Sequence, residues 1–187
     1  MRVGEGRQAV PEARIAVTLA QAVLKGDKMD GVVRDAVMMG VAAIQPMVTA
    51  RSEVTLAALR RGHRQERWQR IAVSSAKQCG RAVVPPILAP RTFESVARSL
   101  ADMTLPGPGL IFVEPSASAD ALSLGDLDLT APRETTVLIG PEGGWTSEEI
   151  ALGSTACRLV TLGARTLRAD AMAMVALTAL FAHWREL

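Results

Sequence analysis

The sequence predicts an α/β fold in which a mostly parallel sheet is flanked by helices. Three observations predict it. Short apolar runs alternate with amphipathic stretches of helical period, the pattern of strands joined by helical crossovers. The run Leu138-Ile139-Gly140-Pro141-Glu142-Gly143-Gly144-Trp145-Thr146 carries an apolar strand into a turn with three glycines and then into a helix start. A chain of 187 residues with 49% hydrophobic content can bury the core of one domain, or somewhat more. Residues 1–14 are polar and aperiodic and read as a tail or linker remnant, leaving 15–187 as the domain.

Residues 15–19 form a short strand candidate. Gly26-Asp27 then opens a helix with Asp27 as N-cap. Met29, Val32, Val33, Ala36 and Val37 recur along it at helical spacing, and Gly40 suits the position past its end. Residues 41–48 give a second strand, with Pro46 marking its end or an exposed edge. A helix over 65–78 follows, its buried stripe made of Trp68, Ile71, Ala72, Ser75 and Ala76, and Gly80 ends it. Thr92 caps a helix over 93–101, and Pro106-Gly107-Pro108-Gly109 breaks the chain before a strand over 110–113.

Residues 116–134 read as a surface loop with a short helical turn. The strand 135–139 enters the glycine turn, and Thr146 with Glu149 has the spacing of a capping box for a helix over 147–154. A strand over 158–162, a loop over 163–168 and a final helix from Asp170 to about Trp184 complete the chain. That helix is apolar on nearly every side through Leu180, which predicts burial in the core or against a partner chain.

Composition excludes several classes. Two cysteines, Cys79 and Cys157, without a CxxC, give neither a disulfide framework nor a cysteine zinc cluster, and no metal is expected. No apolar run reaches the roughly 18 residues of a membrane helix, and the first residues lack an apolar signal core, so a cytoplasmic protein is expected. Charge is uneven: residues 1–100 carry 16 Lys+Arg against 8 Asp+Glu, and residues 101–187 carry 5 against 11. The excess peaks at Arg60, Arg61, Arg64, Arg67, Arg70, Lys77 and Arg81, with Glu66 alone opposing, and the arginines' guanidinium forks suit a nucleic-acid backbone. A solvated helix face is the competing reading of the same residues.

Three loops at strand ends stand out: Glu114-Pro115, the glycine turn, and Leu162-Gly163-Ala164-Arg165-Thr166-Leu167-Arg168. In an open α/β sheet such loops gather on one edge, where ligands bind. Two of them bear glycine and suit an adenosine held by backbone hydrogen bonds, with Leu138, Leu162 and Leu167 against the ring. An ordinary strand-to-helix turn is the plainer alternative. The chain has no GxGxxG, no P-loop and no GxSxG nucleophile elbow. His63 and His183, its two histidines, stand 120 positions apart and read as surface or helix-end residues.

Gly140-Pro141-Glu142-Gly143-Gly144 followed by Leu162-Gly163-x-Arg165-x-Leu167-Arg168 resembles the signature pair of the bacterial 16S ribosomal RNA uracil-N3 methyltransferases, members of the SPOUT superfamily. Leu19-Ala20-Gln21-Ala22, Lys25 to Asp30, Gly40-Val41, Arg51-Ser52, Glu66-Arg67-Trp68 and Gln78-Cys79-Gly80-Arg81 resemble family blocks in the same order, so the resemblance covers about residues 15 to 183.

The resemblance implies a domain with a C-terminal trefoil knot, a homodimer, S-adenosyl-L-methionine as cofactor, and 16S rRNA of the small ribosomal subunit as partner. Carried over by position, Val113, Glu114, Pro115, Ile139, Gly140, Glu142, Gly143, Gly144, Leu162, Gly163, Leu167, Arg168 and Ala171 would contact the cofactor. Arg168 is the catalytic candidate, orienting or stabilising the uracil; a salt bridge within the knot, to Glu142, is the competing role.

Two departures stand beside the resemblance. Family members continue Leu-Arg into Thr-Glu-Thr-Ala where this chain has Ala169-Asp170-Ala171-Met172, with Asp170 still able to cap the last helix, and they have Thr-Glu-Leu-Gly where it has Val37-Met38-Met39-Gly40. They also carry an N-terminal PUA-like barrel, and this chain begins where that barrel would end. A catalytically weak RNA-binding or ribosome-assembly protein, and a related enzyme acting on transfer RNA, are the alternative functions.

Overall fold

The structure, a computed structural model, describes residues 9–127 and 130–187; residues 1–8 of the expected tail lie outside the described residues. The described part of that tail is tied to the domain. The Val10 N–H donates to the Gly80 carbonyl at 3.1 Å, and Arg14 Nε meets Glu186 Oε1 at 2.8 Å.

The elements run β1 (Ala16–Ala22), α1 (Lys28–Met39), β2 (Ala43–Val48), α2 (Leu56–Arg61), α3 (Arg64–Cys79), β3 (Arg91–Thr92), α4 (Phe93–Ala101), β4 (Gly109–Phe112), β5 (Leu122–Ser123), β6 (Glu134–Ile139), α5 (Ser147–Ser154), β7 (Cys157–Thr161) and α6 (Ala169–His183). The described strands form one sheet in the order β3-β2-β1-β6-β4-β7-β5, and every pairing is parallel. The mostly parallel α/β architecture expected from the alternation of elements is the one observed.

The central strands β1, β6 and β4 are largely apolar on both faces because both faces are covered. Val17, Leu19, Leu110, Phe112, Val137 and Ile139 point into one core with α1, α3 and α6. The residues between them, Ala20, Ile111 and Leu138, point into a second core with Phe93 and Val96 of α4. The period of two sorts the side chains between the two layers. Leu138, expected against a ligand ring, is instead wholly buried in the second core.

Local signals set the helices. The buried residues of α1 are Met29, Val32, Val33, Ala36 and Val37, and Gly40 closes it with a φ of 104°. Asp27 occupies its N-cap position, but its side chain makes no capping hydrogen bond. Gly80 ends α3 in the same left-handed way. Thr92 caps α4, accepting the Ser95 N–H at 3.3 Å.

Several expectations are corrected. α2 was absent from the sequence pattern, because a helix of 6 residues leaves little periodicity to read, although Thr55 caps it. β5 and a 3₁₀ turn over Leu124–Asp126 lie within the expected loop 116–134. Pro46 sits inside β2, buried, and pairs with Gln21. The Ile44 N–H points outward to the Pro86 carbonyl, so two residues on the nitrogen of Pro46 faces the same side. There the Gln45 side chain donates to Pro46 O and Ala89 O at 2.9 and 2.8 Å in place of ladder bonds. Asp170 lies inside the first turn of α6, while Arg168 takes the N-cap position without a side-chain cap. Of the two readings of α6, the core takes Leu177, Leu180 and Phe181, while Val175 is 42% exposed within the chain and leaves that stripe to the other reading, a partner chain.

Candidate functional site

Parallel pairing brings the carboxyl ends of all the strands to one edge. The register levels them: Phe112 of β4 pairs with Ile139 of β6 and Val160 of β7, and Gln21 of β1 also pairs with Ile139. The segments that follow these residues therefore emerge side by side. They enclose a cavity of about 450 Å³, within the range of small-molecule sites.

Of the residues expected at a cofactor site, Val113, Glu114, Gly140, Glu142, Gly144, Leu167 and Arg168 line this cavity. Pro115, Ile139, Gly143, Leu162, Gly163 and Ala171 do not. Ile139 packs into the first core and Leu162 against it. Pro115 sits in the turn closed by the Ala117 N–H on Glu114 O at 2.9 Å. Gly163 and Ala171 are exposed. The cavity also draws on residues the sequence pattern did not single out: Lys28, Phe112, Pro141, Trp145, Thr166, Ala169 and Met172. Of these, Pro141 and Trp145 lie within the turn motif itself and Thr166 within the second loop. Lys28 arrives from α1; it lies in the block Lys25 to Asp30 that carries part of the resemblance, but nothing in that block points it at the cavity.

The glycine turn owes its shape to its neighbours. Trp145 folds back over it, donating from Nε1 to Phe112 O at 2.9 Å and packing its ring at a 51° tilt against Phe93 with centroids 4.9 Å apart. A Cβ on Gly140 would stand 3.0 Å from that indole, so the ring fits only over bare backbone. Gly144 holds a φ of +68°, and its N–H closes the turn on Pro141 O at 3.0 Å. Gly143, expected to face a ligand, instead backs onto Arg51: a Cβ there would meet Arg51 Cβ at 3.1 Å.

The capping box expected after the turn is present. Thr146 Oγ1 accepts the Glu149 N–H at 3.2 Å, and Glu149 Oε2 accepts the Thr146 N–H at 3.0 Å. Glu149 is buried, and its other oxygen accepts the Ala50 N–H at 2.7 Å. One carboxylate thus caps α5 and ties the loop after β2 to it.

Charge is arranged in pairs around the mouth. Glu142 Oε1 accepts from Lys28 Nζ at 2.8 Å and from the Lys25 N–H at 3.2 Å. Partial burial pushes the Glu142 carboxyl up, but the Lys28 ammonium and the backbone donors outweigh it and hold the group below its ordinary value. Arg168 does not pair with Glu142. Its Nε stands 3.5 Å from Asp170 Oδ1, and its side chain is 76% exposed at the cavity rim. Glu114 lines the cavity and holds no ion pair among the described residues.

The basic segment divides in two. Arg60, Arg61, Arg64 and Arg70 are exposed and hold no ion pair among the described residues. Arg67 pairs with Asp30, which also accepts from Trp68 Nε1 at 3.1 Å, pinning α3 to α1. Arg81 departs from the expected nucleic-acid face. Its side chain is 6% exposed, pairs with Glu12, and donates to Val37 O and Val41 O at 2.8 and 3.1 Å. It satisfies the carbonyls at the end of α1 rather than meeting solvent.

His63 and His183 are exposed at helix ends, the N-cap position of α3 and the last turn of α6. Burial pushes the Cys157 thiol up to about 12, which marks it as a packing residue. Among the described residues no group of His, Cys, Asp and Glu could hold a metal ion, and no helix is long and apolar enough to cross a membrane.

Residues 11–181 match the family model described as an RNA methyltransferase domain. A curated relative from Synechocystis, ribosomal RNA small subunit methyltransferase E, is 33% identical over 169 residues, which are 89% of this chain and 53% of the relative. The chain therefore spans about half the length of that relative. A crystal structure of ribosomal RNA small subunit methyltransferase E from Neisseria gonorrhoeae bound to S-adenosyl methionine superposes with a TM-score of 0.79 at 32% identity, covering 93% of this chain and 68% of that one. The TrmH/SpoU tRNA modifying enzyme of A. aeolicus shares the fold, with a TM-score of 0.57 at 12% identity over 95% of this chain and 79% of its own. By the extent of the family match, and with a fold and strand-end loops to suit it, the chain belongs to the RNA methyltransferase domain family.

Proposed function

We propose that this chain is the catalytic domain of an S-adenosyl-L-methionine-dependent enzyme that methylates N3 of a uracil in 16S rRNA of the small ribosomal subunit. The observation that carries it is the convergence of the glycine turn, the loop 162–168 and the end of β4 on one cavity. The gonococcal relative's bound S-adenosyl methionine and the names of the curated relatives support the same reading.

The cavity residues fit that donor. Phe112, Val113, Leu167 and Met172 offer apolar surface, Gly140 and Gly144 bare backbone, and the Lys28–Glu142 pair charges of both signs for an amino-acid end. S-adenosylmethionine supplies, when bound, an electrophilic methyl group on a sulfonium. The protein's part is to hold uracil N3 in line with that carbon and to stabilise the anion left as the N3 proton departs. The exposed Arg168 guanidinium at the rim offsets the charge. Glu114, the cavity carboxylate without an ion pair, is the group available to accept the proton.

The same reading has the domain over 15–187 with 1–14 as its linker, a trefoil knot in the C-terminal segment, and a cytoplasmic homodimer. The outer stripe of α6, with Ala171 and the exposed Val175, supports pairing of two copies. Arg60, Arg61, Arg64 and Arg70 form its RNA-facing surface. Calorimetry with S-adenosylmethionine tests the reading first, and no binding at millimolar cofactor removes it. Methyl transfer to small subunits lacking the mark, with mass mapping of the product, tests the rest. Binding without transfer points to an assembly protein, and a methylated transfer RNA to a different substrate.

A further inference from the structure

A second cavity, of about 330 Å³, opens beside the candidate active site. Lys25, Glu53 and Arg64 stand at it, over Leu24, Val54 and Ala58. The two cavities share a wall. The Lys25 N–H and the Lys28 ammonium both donate to Glu142 Oε1, Lys25 lines the second cavity, and Lys28 and Glu142 line the first. The loop of residues 23–27 and this strut are what separate them.

The electrostatics of the second cavity favour a polyanion. Arg64 has no ion pair among the described residues, and neither have Arg60 and Arg61 on the adjoining helix. Lys25 pairs with Glu53, but both side chains are exposed, at 52% and 63%. An exposed pair of this kind is weak in water and gives way readily to a phosphate. Beneath the charges lies aliphatic surface able to take one face of a base.

The chemistry of the first cavity says what must lie beside it. N3 is on the pairing edge of uracil, so a base methylated there is unpaired and its strand enters as a single strand. The next nucleotide is one phosphodiester away, and the next cavity is one loop away. We propose that the second cavity is a nucleotide subsite for the residue adjacent to the target uracil. Its phosphodiester lies against Lys25 and Arg64, its base lies on Val54 and Ala58, and Glu53 acts as a gate that competes with the phosphate for Lys25. This inference rests on the RNA-methylating reading of the first cavity.

Binding of a single-stranded RNA oligonucleotide, measured by fluorescence anisotropy across a salt series, tests it. The proteins are the full chain, the Lys25→Ala/Arg64→Ala double variant, Glu53→Gln, and Arg98→Ala on α4, across the sheet. For a single strand the steepness of the decline of log affinity with log salt falls by about 0.7 for each phosphate that is no longer neutralised. The double variant is expected to show that fall once, for the one phosphate that both side chains hold, Glu53→Gln to bind more tightly than the wild type, and Arg98→Ala to match it. A double variant with the wild-type slope, or a Glu53→Gln that binds no tighter, overturns the subsite. Calorimetry with S-adenosylmethionine on the same four proteins separates the two failures. Intact cofactor binding with an unchanged slope sinks the subsite alone. A wild type that binds no cofactor sinks the reading of the first cavity, and the pairing of the two with it.

Discussion

Arg51 Nη1 donates to the Gly143 carbonyl at 2.7 Å, so the glycine turn is held from outside by the loop after β2. The turn's backbone is thereby set before any ligand arrives, and preorganisation of this kind raises affinity by removing an ordering cost. Arg51→Ala is expected to weaken S-adenosylmethionine binding about tenfold, ~1.4 kcal/mol, with little change in melting temperature because Arg51 is exposed. Gly143→Ala presses on the Arg51 stem and produces a smaller loss. Gly144→Ala, at a φ of +68° and with its Cβ 2.9 Å from Glu114 Oε1, produces a larger one. A calorimetric ranking that puts Gly143→Ala above Gly144→Ala contradicts this placement.

Glu149 serves two backbone donors that are far apart in the chain, Thr146 and Ala50. Glu149→Ala leaves both without that acceptor in a buried place, and the expected loss of stability is about 2–3 kcal/mol. Glu149→Gln keeps a carbonyl acceptor for one of them and recovers part of the loss. Urea denaturation of the two variants measures the difference, and equal midpoints would show that the acceptor oxygen retained by Gln contributes nothing.

Arg81 and the pair Arg60 and Arg61 should separate cleanly. Arg81→Ala removes a buried guanidinium that satisfies two carbonyls of the α1 end, with an expected cost of about 2 kcal/mol, and leaves the salt dependence of RNA binding unchanged. Arg60→Ala with Arg61→Ala does the reverse, flattening the salt slope at constant stability. Thermal melts beside anisotropy titrations distinguish them.

Glu142 gives the site an acid sensitivity. Its carboxyl lies below the ordinary 4.5 in the folded protein. The Lys28–Glu142 contact therefore contributes stability above that ordinary value, and the contribution disappears as pH falls through the lowered one. Lys28→Met removes the contact at every pH. The stability gap between wild type and Lys28→Met is expected to be open at neutral pH and to close in acid below 4.5. A gap that is constant with pH would assign the difference to packing.

Much of the fold was legible because its signals are local. The stripe from Met29 to Val37, the left-handed closures at Gly40 and Gly80, and the Thr92 and Thr146 caps all act within about one helical turn. α2 and β5 were not legible: at 6 and 2 residues they are too short to show a period and exist because their neighbours hold them. The last helix looked apolar on every side because alanine and valine read alike whether they face a core or solvent.

Apart from the short α2, β3 and β5, the order of elements, the parallel sheet and the two loops that line the cavity follow from the amino-acid sequence alone, because strand period, glycine turns and helix caps are written within a few residues. Which way each group faces is a matter of packing in three dimensions. Packing turned Gly143 toward Arg51, Arg81 inward onto the end of α1, and Arg168 toward Asp170, and it brought Lys28 across 114 positions to Glu142. Apart from the local Arg168–Asp170 contact, those partners are set by the register of parallel strands and by the layers on either side of them, and neither leaves a mark at any single position of the chain.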